Sequence, residues 1–194
     1  MRFDITFLTP FRVASGRAGD GADATVDRGV PLPASSLKGV MRSAARDMLR
    51  LDPHLVNTVY GTGWSPSPWS WSDARPATET AGGTGYRDMP ADIRLRARIQ
   101  IDPETGTARD GALAISEEVH ADQLVFTVTR TGWIKHGREL QERVLLASAL
   151  AVTALGGDRR RGLGWVSIAP GDPPWTEVDI DALVQTLTSR EGAA

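Results

Sequence analysis

Residues 21–50 read GADATVDRGVPLPASSLKGVMRSAARDMLR, and their pattern decides the fold. A loop of Gly and Asp is stopped by Pro31 and Pro33, after which Ser35 or Ser36 is placed to cap a helix running from about 36 to 50. Along it Lys38, Arg42, Arg46 and Arg50 recur every four residues and stack into one ridge. Leu37, Val40, Met41, Ala44, Ala45, Met48 and Leu49 take the opposite side. One face suits a core, the other solvent or a polyanion. Gly39, in the first turn, keeps side-chain bulk away from amides able to hold a phosphate. Residues 156–164, GGDRRRGLG, form a second marked loop near the other end. A plain helix-to-strand turn needs glycine but has no use for three successive Arg.

Working outward, Phe3, Ile5 and Phe7 alternate with Arg2, Asp4 and Thr6, the period of a half-buried strand. Residues 11–30 form an exposed glycine-rich loop that contains Asp20, Asp23 and Asp27. Residues 51–92 set Trp64, Trp69 and Trp71 among Gly, Ser and Pro with little periodicity, and are expected to be an insertion. Those Trp rings either stack on bases or clamp the insertion and meet a neighbouring subunit. Ile93, Leu95, Ala97, Ile99 and Ile101 alternate with Arg94, Arg96 and Arg98, a strand with one apolar and one cationic face. Its cations are either crossed by a polyanion or paired with acidic neighbours.

Turn pairs at Asp102-Pro103, Thr105-Gly106 and Asp110-Gly111 predict a protruding hairpin over 102–122. Leu124, Phe126 and Val128 mark another strand, and Leu140, Val144, Leu145, Ala151, Val152 and Leu155 a helix over 138–155 stopped by Gly156 and Gly157. A short strand follows at 165–168, then an extension over 170–194 with a docking helix around Ile180, Leu183, Val184 and Leu187. The order strand, helix, strand, strand, helix, strand is the ferredoxin-like pattern, an α+β fold.

The 194 residues suit one domain with insertions, and 41% apolar content supplies a core. A net charge of −2 excludes a general basic coat for nucleic acid, but 20 of the 22 cations are Arg, whose planar fork fits phosphate. A GC-rich genome explains an Arg surplus as well; it does not explain clustering. The lack of cysteine excludes disulfides and thiolate metal sites. With an alternating rather than apolar start and no run of about eighteen apolar residues, a soluble cytoplasmic protein with no membrane partner is expected.

PLPASSLKGVMRSAAR at 31–46 resembles the N-terminal motif of the RAMP superfamily of CRISPR-associated proteins, and GGDRRRGLGWV at 156–166 its glycine-rich loop. IDPETGTARDGALAISEEV at 101–119 is similar to the middle region of the repeating backbone subunit of type III effector complexes. The resemblance implies a single domain over 1–194: a ferredoxin-like, RRM-related palm, with 51–92 as insertion and 102–122 as a thumb-like hairpin that wedges between bases. It implies a subunit that polymerises along CRISPR RNA beside other effector subunits and cleaves the paired target RNA. Ser35, Ser36, Lys38, Gly39, Arg42 and Arg46, with Gly157, Arg159, Arg160, Arg161, Gly162 and Gly164, would hold the guide. Arg50 lies farther along and is expected to be solvated.

The family's loop acid falls on Asp23, as catalytic residue and ligand of Mg²⁺ or another divalent ion such as Mn²⁺. Thr25 stands where the family often has Pro, so Asp20 or Asp27 are alternatives to it. His54, His120 and His136 have no partner pattern and are expected to be structural. Only His54 is a candidate for the rival reading of a guide-processing endoribonuclease, which relies on a histidine. The other rival is a catalytically silent scaffold or terminal cap, and an acid before the first helix favours the enzyme over it.

Overall fold

The computed structural model describes residues 1–19, 21–76 and 92–172 together with Asp181. Asp20, most of the C-terminal extension and its expected docking helix lie outside the described residues.

Alternation places Phe3, Ile5 and Phe7 on one face of β1 (Arg2–Phe7), all buried. This strand lies at the centre of a four-stranded sheet of order β2-β5-β1-β6, with β2 at Trp69–Trp71, β5 at Gln123–Arg130 and β6 at Val166–Asp172. Every neighbouring pair is antiparallel. Register sets Phe3 opposite Phe126, their rings stacked at 5.0 Å, and Ile5 opposite both Leu124 and Ile168. Against this greasy face pack Leu37 and Met41 of α1 (Ala34–Ser43), Val56, Val59 and Tyr60 of α2 (Pro53–Tyr60), and Val144, Leu145 and Ala149 of α3 (Arg138–Leu150). The other face carries short or polar residues, among them Thr6, Thr127 and Ser167. A separate two-stranded ribbon joins β3 (Asp92–Arg98) to β4 (Ala114–His120).

Several expectations need correction. The alternation over 93–101 predicts a palm strand, but among the described residues β3 pairs with β4 alone, so the hairpin begins at residue 92 and not at 102. Periodicity tells which faces a strand has, not which sheet it joins. The fourth place in the large sheet belongs to Trp69–Trp71, inside the stretch expected to be an unpatterned insertion, which also supplies α2. Three residues are too few to show a period of two. Helix α3 stops at Leu150, and 153–155 instead pair with the chain leaving the glycine loop, through Val166 N–H to the Thr153 carbonyl and Leu155 N–H to the Gly164 carbonyl.

The first helix also departs from regularity. It begins at Ala34, whose amide donates to Asp73 Oδ1 at 2.8 Å, so a carboxylate 39 residues on serves the helix start in place of Ser35 or Ser36. At Ala44–Met48 it widens into a π-helical turn, with Leu49 N–H reaching the Ala44 carbonyl. One extra residue in the ring shifts every following side chain by about 100°. Met48 therefore turns out to solvent instead of into the core, and Arg50 leaves the ridge in a left-handed conformation, φ 51°.

Candidate nucleic-acid interface

The glycine loop is held by close backbone approaches that side chains would forbid. Gly164, at φ 73°, lies so near the Leu155 carbonyl that a Cβ would collide with it, and its amide donates to the Pro10 carbonyl at 2.7 Å. Gly156, at φ 79°, faces the Arg12 carbonyl in the same way, and the next amide, that of Gly157, bonds that carbonyl at 2.8 Å. Between them Arg159–Arg161 make a single 3₁₀ turn that holds all three Arg at the surface. Among the described residues Arg159 and Arg160 have no ion-pair partner.

Asp158 opens this turn in a left-handed conformation, φ 54°, which Asp tolerates better than most residues. Its carboxylate pairs with Arg12, with Arg98 Nη1 at 2.9 Å and with Arg161 Nη1 at 3.6 Å. Burial alone would raise its carboxyl, but the Arg98 contact and the charges of Arg12, Arg98 and Arg161 outweigh that and hold it below the usual range. Three cations share one carboxylate, and Arg12 Nη1 and Arg98 Nε are buried without a hydrogen-bond acceptor among the described residues.

Opposite the loop lies the face of α1 formed by Ser36, Gly39 and Ser43, spaced three and four apart. With Gly156, Gly157 and Arg159 these residues line an open groove of about 360 Å³. Gly39 leaves open space on this side of the helix, so a chain can approach its backbone. Ser35 is exposed at the start of the same helix.

The cation ridge occupies the other flank. Lys38 stands 5.2 Å above the Trp71 ring, and burial, then Arg42, push its ammonium below the usual value. Arg42 donates to Asn57 Oδ1 at 3.0 Å, and Arg46 forks onto the Asp47 carboxylate at 2.7 and 2.8 Å. Of the expected guide contacts, the structure therefore brings together Ser36, Gly39, Gly157 and Arg159; Lys38 and Arg42 turn toward β2 and α2, and Arg46 is exposed. The Arg94, Arg96 and Arg98 face of β3 is likewise paired, with Asp92, Glu118 and Asp158.

The loop before α1 is a small hairpin of its own. Ser15 N–H meets the Thr25 carbonyl, Thr25 N–H the Arg17 carbonyl, and Gly19 and Ala22 exchange both bonds. Its returning strand leans on β4, where Glu117 N–H bonds the Ala24 carbonyl. The Glu117 carboxylate, buried, accepts the Val26 amide at 2.9 Å and Arg28 Nη2 at 2.5 Å. Asp23 is exposed and doubly tied to Ile115: its amide donates to the Ile115 carbonyl, and its Oδ2 accepts the Ile115 amide, both at 2.7 Å. Asp27 Oδ1 is engaged by the amides of Gly29 and Val30 and shapes a turn.

Among the described residues no three acidic or imidazole groups converge to hold a metal ion. His54 is exposed in the first turn of α2, His120 Nε2 lies 3.0 Å from Glu118, and His136 is exposed. Trp69 and Trp71 clamp the core, through Gln141 Oε1 and Met41 Sδ, whereas Trp64 is 99% exposed. No described helix is long and apolar enough to cross a membrane.

Sequence reasoning missed Arg12, Asp73, Glu117 and Asp158. Only Asp158 carries a local signal, an acid beside three Arg.

With three helices packed on one face of an antiparallel sheet and a glycine loop facing the first of them, the chain belongs to the RAMP superfamily, whose model matches residues 4–167. Among solved structures, a chain from type III-B Cmr-beta bound to cognate target RNA, determined by cryo-EM, has a TM-score of 0.63 at 16% identity over 86% of this chain and 95% of its own. A chain from type III-B Cmr-beta in the apo state has a TM-score of 0.61 with the same identity and coverage. At this identity the likeness is one of fold. No individually curated protein matches the chain.

Proposed function

We propose that this protein is an RNA-holding backbone subunit of a type III CRISPR effector complex, with copies of itself and other subunits as neighbours, and that Asp23 cleaves target RNA paired to the guide. The observation that carries the reading is the groove between the Ser36, Gly39 and Ser43 face of α1 and the glycine loop, in a member of the RAMP superfamily. We read the sheet as a ferredoxin-like palm, since its strand order and antiparallel sense are those of that fold, and the β3–β4 ribbon as the thumb. Amides and Arg159–Arg161 grip phosphates without reading bases, as a scaffold for any guide requires, since pairing supplies the sequence.

The cleavage step needs no prosthetic group. The ribose 2′-oxygen attacks the adjacent phosphorus in line, its proton passes to the Asp23 carboxylate, and the 5′-oxygen leaves and is protonated by water. The products are a 2′,3′-cyclic phosphate and a 5′-hydroxyl. The Ile115 amide fixes the carboxylate's direction. A divalent ion such as Mg²⁺ or Mn²⁺ would be held by Asp23 together with the RNA phosphate, and would supply charge stabilisation there. The second reading, a silent scaffold, is favoured by one specific fact: Asp23 belongs to no cluster of three or more acidic or imidazole groups among the described residues.

The test is a denaturing gel of complementary target RNA with the guide-loaded complex, wild type against Asp23→Ala, each in Mg²⁺ and in EDTA. Regular cuts that disappear in Asp23→Ala while guide and target stay bound support the enzyme. Cuts that persist in the mutant move the chemistry to another residue. Bound but uncut target in wild type with Mg²⁺ establishes the scaffold. The EDTA arm decides the ion.

A further inference from the structure

We propose that Trp165 is a stacking platform for an unpaired RNA base next to the phosphates gripped by the glycine loop, an inference that rests on the groove reading above. Trp165 follows the loop directly and is not a core residue. Its neighbours Leu163 and Val166 are buried, while Trp165 itself is 53% exposed. The backbone there is fixed: its amide donates to Thr9 Oγ1 at 3.0 Å and its carbonyl accepts from Leu8 N–H at 2.8 Å.

The indole Nε1–H donates to the Arg159 carbonyl at 3.3 Å. The ring's one polar atom is thus satisfied by the loop, which orients the ring against the 3₁₀ turn and leaves its exposed surface apolar. An aromatic plane beside exposed guanidiniums of Arg159 and Arg160 has the two parts of a single-strand site, a cation for the backbone and a π-face for the base. Leu8, 66% exposed alongside, extends the apolar surface. A ring of Arg disfavours an apolar protein partner at this spot, since burying those guanidiniums unpaired is costly. It favours a polyanion that brings its own apolar faces.

Phosphate contact and stacking leave different marks on salt dependence. The slope of log K against log[salt] counts neutralised phosphates, about 0.7 per contact for single strands. Stacking changes affinity at every salt concentration equally.

The full-length chain is titrated with a labelled single-stranded oligoribonucleotide, and with an abasic counterpart, across a KCl series. Trp165→Ala, Trp165→Phe and the double variant Arg159→Ala, Arg160→Ala are compared with wild type. Trp165→Ala should weaken binding about 5- to 100-fold with unchanged slope; Trp165→Phe should keep most of the affinity, and the abasic strand should not distinguish wild type from Trp165→Ala. Equal affinity of wild type and Trp165→Ala for the intact strand overturns the proposal, and so does a loss that persists on the abasic strand. Unchanged RNA affinity with reduced self-association of Trp165→Ala in sedimentation also overturns it, and assigns the ring to a protein contact. The double Arg variant should lower the slope. If it leaves slope and affinity alone, the groove reading itself fails, and that outcome is separate from the behaviour of Trp165.

Discussion

Replacing Asp158 by Ala removes the one carboxylate that pairs with Arg12 and Arg98 among the described residues. The side chains of Arg12 and Arg98 are 11% and 27% exposed, so neither guanidinium can turn to water without the loop opening. Two of their nitrogens, Arg12 Nη1 and Arg98 Nε, already lack an acceptor among the described residues. Stripping the partner from a buried ion pair costs about 3–5 kcal/mol. Arg161, at 69% exposure, adds little to that. For a chain of this size each kcal/mol moves Tm by about 2–4 °C, so a fall of roughly 6–20 °C is expected. Removing Arg98 as well should recover part of the loss, because the two deletions share one interaction.

The pH dependence has a definite sign. The folded-state value of Asp158 lies below its unfolded value, so its contribution is complete above about pH 5 and is lost as pH falls through the lowered value. Urea unfolding of wild type and Asp158→Ala should therefore differ by a constant amount from pH 5 to 8, and converge below about pH 4. A cost under about 1 kcal/mol at pH 7, or a difference that does not shrink as pH falls below the unfolded value of about 4, would refute the view that this carboxylate holds the loop.

Two further changes probe the scaffold. Gly164→Ala places a Cβ against the Leu155 carbonyl at φ 73°, where the left-handed conformation alone costs about 1–2 kcal/mol, so its Tm should drop and its guide affinity fall with it. Trp69→Phe leaves Gln141 Oε1, in a residue 4% exposed, without its donor; calorimetry should show a loss of about 1–3 kcal/mol. Adding Gln141→Leu should restore most of it, because removing both polar partners leaves nothing unsatisfied.

What was legible in the sequence was what repeats locally. The alternation of Phe3, Ile5 and Phe7, the helical spacing around Leu37 and Met41, and the glycines at 156 and 164 all state their geometry within a few residues. The site was legible only in outline. Four-residue spacing correctly stacked Lys38 and Arg42, but spacing has no compass: it cannot say that this flank meets Trp71 and Asn57 while Ser36, Gly39 and Ser43 face the loop. The π turn at Ala44–Met48 broke the phase with no residue to announce it. Asp73, Arg12 and Glu117 act on partners 39, 146 and 91 residues away, beyond any window that periodicity can read.

Those long-range contacts join three parts that function separately in the proposed reading. Strand β4 carries the loop acid, through Ile115 on Asp23 and Glu117 on Val26 and Arg28. Its ribbon partner β3 ends at Arg98, which reaches Asp158 in the glycine loop, and Arg12 joins that same carboxylate from the chain leading out of β1. A shift of the ribbon must therefore move the acid and strain the phosphate grip at once. The chain just beyond β1 also meets the loop through its backbone, at the Pro10 carbonyl and the Leu8 amide. In the proposed reading, that wiring couples the ribbon that reaches between bases to the loop that holds phosphates.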